Sequence, residues 1–231
     1  MEYRSAKTLS IVTICALGVC VLSQVATGIA GFIQILAPEQ PLAGSGLSIP
    51  LIVEAVGGSI YTLTYVLSAI VFLIWLNRAH KNLQFLKPDL LEFTSGWAVG
   101  WWFIPFATLW KPFQVVREVW AESDPDFDPD QPQYLSYSLH AAPAYMVVWW
   151  IAWLVMLFAL NIGRGLVKIP GLTTTNFGAI VFFQAVVVIF AGVLAITVVR
   201  DITTRQESRH QRIGPSKVEF PPPPPTFGDQ E

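Results

Sequence analysis

The sequence predicts an all-α integral membrane protein: four transmembrane helices, with a Trp-rich cytoplasmic interfacial or re-entrant segment between helices 2 and 3. Three observations carry this prediction. The chain of 231 residues is 53% hydrophobic and only 13% charged, with a mean hydropathy of +0.52, where a soluble domain carries about 25% charged residues. Its apolar residues gather in four runs free of Asp, Glu, Lys and Arg, namely Thr8–Pro38, Ala55–Asn77, Gln131–Gly163 and Ile169–Val199. Each run exceeds the roughly 20 residues that cross a bilayer core. Finally, the basic residues fall almost wholly on one side of those runs. A net charge of −2 leaves no overall electrostatic basis for binding nucleic acid.

Residues 1–8 form a short basic N-terminus carrying Arg4 and Lys7. The first span, about 9–35, ends before Pro38 and is too long for the roughly 7–15-residue core of a cleavable signal, so it reads as a signal anchor. Cys15 and Cys20 lie within it, roughly 140° apart on a helix, and count as small hydrophobes rather than a pair. The second span, about 50–76, opens at Pro50, which suits the first position of a helix. Third and fourth spans follow at about 141–163 and 177–199, completing a transmembrane domain over 9–199. Residues 200–231 read as a disordered cytoplasmic tail. It is first basic, with Arg200, Arg205, Arg209 and Arg212 suited to anionic headgroups. It then becomes Pro-rich, with EFPPPPP from Glu219 to Pro225.

Trp97–Trp110 is apolar, but its 14 residues reach only about 21 Å as a helix, and Pro105 breaks the hydrogen-bond ladder. Charge settles whether it crosses. With four spans and the N-terminus inside, the inner segments hold 12 Lys and Arg and the outer loops hold 2, Arg164 and Lys168. A fifth crossing at Trp97–Trp110 makes the division 7 to 7. The positive-inside rule selects the lopsided count. It places both termini, and the long loop from Asn77 to His140, in the cytoplasm of a cell-membrane protein. Trp97–Trp110 then becomes an interfacial element, followed by a short amphipathic helix over Phe113–Ala121. Phe113, Val116 and Trp120 share one face of that helix, with Arg117 and Glu118 elsewhere.

Polar residues are few. Glu54 is the one acidic residue in any span, in the first turn after Pro50, where the helix dipole favours an anion at the outer interface. Gln24 and Gln184 both sit about 22 Å from the cytoplasmic ends of their spans. A hydrogen bond between them would lock the first span to the fourth. Tyr145, Trp149 and Trp153 repeat on one face of the third span and read as packing against a neighbouring helix or the Trp-rich segment. The acidic DPDFDPD, Asp124 to Asp130, has Pro129 and Leu135 where a calcium loop needs Gly and Glu, and reads as a solvated linker. His80, His140 and His210 lack ligand spacing, and no GxSxG, HExxH, CxxC or Gly-rich phosphate loop occurs. No enzyme activity, cofactor or metal is expected.

The stripe Trp75, Arg78, Asn82 continues the second span into the cytoplasm, as an ordinary basic collar or as a grip on the segment that follows. Three stretches around it, WLNRAHKNL (Trp75–Leu83), GWAVGWWFIP (Gly96–Pro105) and LWKPFQVVREVW (Leu109–Trp120), resemble the hallmark of a family of bacterial multi-pass membrane proteins known only as a domain of unknown function. The resemblance covers roughly Pro50 to Arg200 and departs from the family pattern at Thr108 and Phe113. It implies a four-helix membrane domain and brings no activity with it.

The expected role is therefore an interaction or scaffolding protein that binds a partner protein or anionic lipid through its cytoplasmic Trp-rich surface. The candidate residues are Arg78, Asn82, Trp97, Trp101, Trp102, Pro105, Trp110, Pro112, Arg117 and Trp120. Expected partners are the bilayer, anionic lipids at the cytoplasmic face, and a protein partner or a second copy of the chain. The alternative is a small oligomeric transporter or channel, built around Glu54 and the break at Pro105.

Overall fold

Hydroxyl side chains on the apolar helices turn back onto their own backbones. Thr13, Ser59, Thr62 and Ser68 each donate to the carbonyl four residues earlier, which satisfies a hydroxyl where no water is present. The computed structural model describes residues 3–37, 49–86, 91–126, 141–166 and 174–216, and every regular element among them is a helix, with no strand. α1 is Lys7–Leu36, α2 Ile49–Leu86, α3 Ser95–Gly100, α4 Lys111–Ala121, α5 Ala144–Leu166 and α6 Thr174–Ser216, with one 3₁₀ turn at Ala107–Leu109. α1, α2 and α6 are long and apolar enough to cross a membrane. Only 22% of the apolar window of each is buried within the protein. Outward leucines such as Leu22 and Leu63, 69% and 73% exposed, mark this as a membrane protein, since water would not tolerate so continuous an apolar surface.

Contacts fix the direction of each helix. Cys20 Sγ lies 3.4 Å from Ser68 Oγ, and the Arg4 backbone N–H donates to Asn82 Oδ1, so α1 and α2 run antiparallel. Tyr3 donates to Glu207 at one end of α6 while Gly31 meets Gly178 near the other, so α1 and α6 are antiparallel too. Gln184 Nε2 donates to the Ala159 carbonyl and Tyr145 to Asp201, which sets α5 against α6. The start of α1, the ends of α2 and α6, and the whole of 91–126 therefore share one end of the bundle. The larger core lies there, around Phe72, Trp75, Val116, Trp149, Val199 and Ile202.

Two expectations are corrected. The Gln24–Gln184 hydrogen bond does not form: Gln24 Oε1 accepts from Thr27 and Gln184 donates to α5. Equal depth places two residues at one level but does not turn them towards each other. The stretch from Arg200 to Ser216 is not a disordered tail but the last part of α6, about five turns long. Its Ile202, Gln206 and Arg209 form a buried stripe against α2 and 91–126, so packing holds as a helix what composition alone reads as solvated. Residues 217–231, with the Pro-rich run, and the side chain of Glu54 lie outside the described residues.

Candidate functional site

The segment 91–126 folds back on itself rather than extending. Thr94 caps α3 by accepting the Trp97 backbone N–H at 3.4 Å. After Gly100 the chain turns. The Ala107 N–H donates to the Pro105 carbonyl at 2.8 Å with Phe106 at φ 63, ψ −52 between them, a γ-turn of the strained, positive-φ kind. Thr108 Oγ1 closes the loop on the Trp102 carbonyl. Pro112 then opens α4 in its first turn, where a missing N–H costs nothing.

A buried polar lock holds this segment to α2. His80, wholly buried, places Nδ1 3.3 Å from Ser95 Oγ and Nε2 3.2 Å from Glu118 Oε2. The other oxygen of Glu118 accepts the backbone N–H groups of Glu92 and Phe93. Asn77 Nδ2 donates to the Ser95 carbonyl at 2.7 Å. Hydroxyl, imidazole and carboxylate stand in the order of a nucleophile, base and orienting acid. Yet Ser95 and Glu118 are also buried, and every group in the string is spent on joining α2, α3 and α4. A second set of contacts ties in α6. Asp201 accepts from Trp120 Nε1 at 2.7 Å and from the Tyr145 hydroxyl, and Arg205 lies 4.2 Å over the Trp120 ring. Arg209 donates to the Leu86 and Glu122 carbonyls, and Arg205 and Arg212 pair with Asp124 and Asp126. At the N-terminus, burial and the hydrogen bond to Glu207 push the Tyr3 phenol well above its usual value.

The predicted site residues do not form one surface. Asn82 is buried, donating to Gln206 and accepting from Arg4, and so grips α6 and the N-terminus rather than the Trp-rich segment. Pro112 is buried, and Trp120 turns inward to Asp201. Of the aromatic stripe of α5, Trp153 meets Trp102 edge-on at 5.6 Å, Trp149 packs against Phe72 of α2, and Tyr145 donates to Asp201; Trp102 also meets Trp150 edge-on at 6.0 Å. Trp101 sits half-buried beside Trp97, and Arg117 is half-buried on α4. Trp97, Pro105 and Trp110 face outward. The segment doubles back at Phe106, so neighbouring residues point to opposite sides. Glu118, expected on the polar face of α4, is in fact buried against His80.

Two features escaped the sequence. Asn77 and His80 lie one turn apart on α2, but Ser95 and Glu118 are 15 and 38 residues beyond His80, and nothing in that spacing pairs them. The second feature is an open groove of about 850 Å³ between α2, α3 and the N-terminal residues. Arg4, Arg78 and Lys81 line one part of it, and Ile70, Ile74 and Phe103 another. A signal for it was present: Arg78 and Lys81 are three apart, with Ile74 one turn before Arg78 on the same helical face.

No curated protein and no solved structure matches the chain. The model of one family, Domain of unknown function (DUF4328), matches residues 50–204, about two thirds of the chain. That stretch contains the whole His80–Ser95–Glu118 lock, the Asp201 contacts and the Trp-rich turn, and the chain belongs to the DUF4328 family.

Proposed function

We propose that this is a four-span protein of the cell membrane that acts as an interaction or scaffolding protein. Both termini and the 91–126 segment lie in the cytoplasm. There the segment rests in the interface and engages the anionic lipid of the inner leaflet. The single observation that supports this most is the outward aromatic tip. Trp97, Phe103, Phe106 and Trp110 are 50, 72, 78 and 50% exposed on a segment that buried polar contacts fix to the basic end of the bundle. Large aromatic side chains held rigidly in the open are at home at headgroup level. α5, with 23 residues and a length of about 34 Å, is taken as the fourth span. No catalytic role is assigned, and the described residues offer nothing that favours the transporter reading over this one.

Native mass spectrometry of the full-length protein, extracted with its own lipid, tests the proposal. Stoichiometric anionic lipid is expected on the wild type, and it should fall several-fold when Trp97, Phe106 and Trp110 are all changed to Ser. Unchanged lipid in that variant would overturn the reading. A second polypeptide in place of lipid would move the role to a protein partner.

A further inference from the structure

We infer that the groove between α2, α3 and the N-terminus is a binding site for one anionic phospholipid. Its phosphate would lie among Arg4, Arg78 and Lys81, with an acyl chain along Ile74, Ile70 and Phe103. This deepens the reading above and rests on it, because it needs the basic end to face the anionic leaflet.

The cations supply the first reason. Arg205, Arg209 and Arg212 on α6 all have acceptors. Among the described residues, the side chains of Arg4, Arg78 and Lys81 have no hydrogen bond or ion pair, although all three line one groove. Three unpaired cations held close together repel one another, and a shared anion relieves that repulsion. The N-terminus is not adventitious there. The Arg4 backbone N–H donates to Asn82 at 3.3 Å, and Asn82 is itself held by Gln206, so Asn82 acts as a positioning residue for Arg4.

The wall supplies the second reason. Ile70 lies two turns before Arg78, about 12 Å deeper along α2. Ile70, Ile74 and Phe103 are 51, 50 and 72% exposed. A soluble anion would leave this apolar wall empty, and a peptide would have to reach below the headgroups. An amphiphile with an anionic head and a hydrocarbon tail meets both parts at once, and the inner leaflet supplies it at high local concentration.

The test uses full-length protein in detergent, titrated with phosphatidylglycerol or with phosphatidylcholine of the same chains, read by native mass spectrometry. One phosphatidylglycerol should remain bound under activation that strips the rest, and phosphatidylcholine should not. The double variant Arg78→Gln/Lys81→Gln should bind it at least about tenfold more weakly. Val99→Trp, which fills the groove without removing charge, should weaken binding comparably and keeps the test intact if the charge variant misfolds. Lys7→Gln removes a cation from the same end but outside the groove, and should change binding less than about twofold. If Lys7→Gln weakens binding as much as the groove variants do, the charge is diffuse and the groove is refuted, while the interaction reading stands. If inorganic phosphate competes as well as the lipid, the acyl wall is irrelevant and the phospholipid assignment falls. If phosphatidylcholine binds as tightly as phosphatidylglycerol, both the groove and the anionic-leaflet reading fail.

Discussion

His80 Nε2 stands 3.2 Å from Glu118 Oε2 across 38 residues of sequence, and the imidazole has no exposed surface. The pair joins α2 to α4 and, through the second oxygen of Glu118, holds the backbone of Glu92 and Phe93 as well. Removing one partner strands the other in a low-dielectric site, so His80→Phe or Glu118→Leu should cost about 3–5 kcal/mol. Changing both, to Phe and Leu, should recover part of that loss, because the penalty lies in the stranded group rather than in the lost attraction. Recovery stays partial while two backbone N–H groups lack their acceptor. Unfolding of the singles and the double in detergent gives the coupling directly. Strictly additive losses would show that the two groups do not act on each other.

The crossing of α1 and α6 gives a second prediction. A Cβ at Gly178 would lie 2.7 Å from the Gly31 carbonyl oxygen, so the two backbones touch where no side chain fits. Gly178→Ala must push the helices apart and should lower stability by about 1–3 kcal/mol. Gly18→Ala is the control, since a Cβ there meets nothing within 4 Å, and in a helix interior it should be neutral or stabilising. Thermal midpoints in one detergent compare them. Equal shifts would mean that the crossing is looser than described.

Asp201 is where α4, α5 and α6 meet, accepting from both Trp120 Nε1 and the Tyr145 hydroxyl. Asp201→Ala removes the acceptor that these two part-buried donors share and should cost about 1–2 kcal/mol. Asp201→Asn keeps one carbonyl acceptor and should cost less. Near-ultraviolet circular dichroism should report the change in the Trp120 environment in both variants. An unaltered aromatic spectrum in Asp201→Ala would show that Trp120 is held by packing alone.

What the sequence revealed and what it concealed divide along a physical line. Spans are legible because hydrocarbon selects against every charge over about 20 residues, and that selection is written in one dimension. The ends of α2 and α6 were harder. Val198, Ile202, Gln206 and Arg209 recur at helical spacing, but two of the four are polar, so their burial looks like exposure. Arg209 is buried because carbonyls of α2 and the 91–126 segment receive it, and those acceptors exist only once that segment has folded back. The same holds for the lock, where Ser95 and Glu118 reach His80 through a turn at Phe106: Pro105 announces a break there but not the direction in which the chain returns.

That turn supplies the last prediction. Phe106 has φ 63 with the Ala107 N–H bonded to the Pro105 carbonyl, a conformation that costs a side-chain-bearing residue about 1–3 kcal/mol. Glycine adopts it freely, so Phe106→Gly should raise the thermal midpoint, with a gain of about 1 kcal/mol after the added entropy of the unfolded chain is subtracted. Phe106 is also 78% exposed and makes none of the ring contacts found for its neighbours Trp101 and Trp102. Within the protein the phenyl ring therefore brings strain without evident packing in return. If the ring serves the lipid, Phe106→Gly should gain stability in detergent while losing quenching by brominated lipid of the outward tryptophans Trp97 and Trp110, because the tip no longer draws them into the leaflet. A variant that is more stable and equally quenched would show that the tip is set by Trp97 and Trp110 alone. A variant that is less stable would mean that the ring packs within the fold, and the strain would then need another explanation.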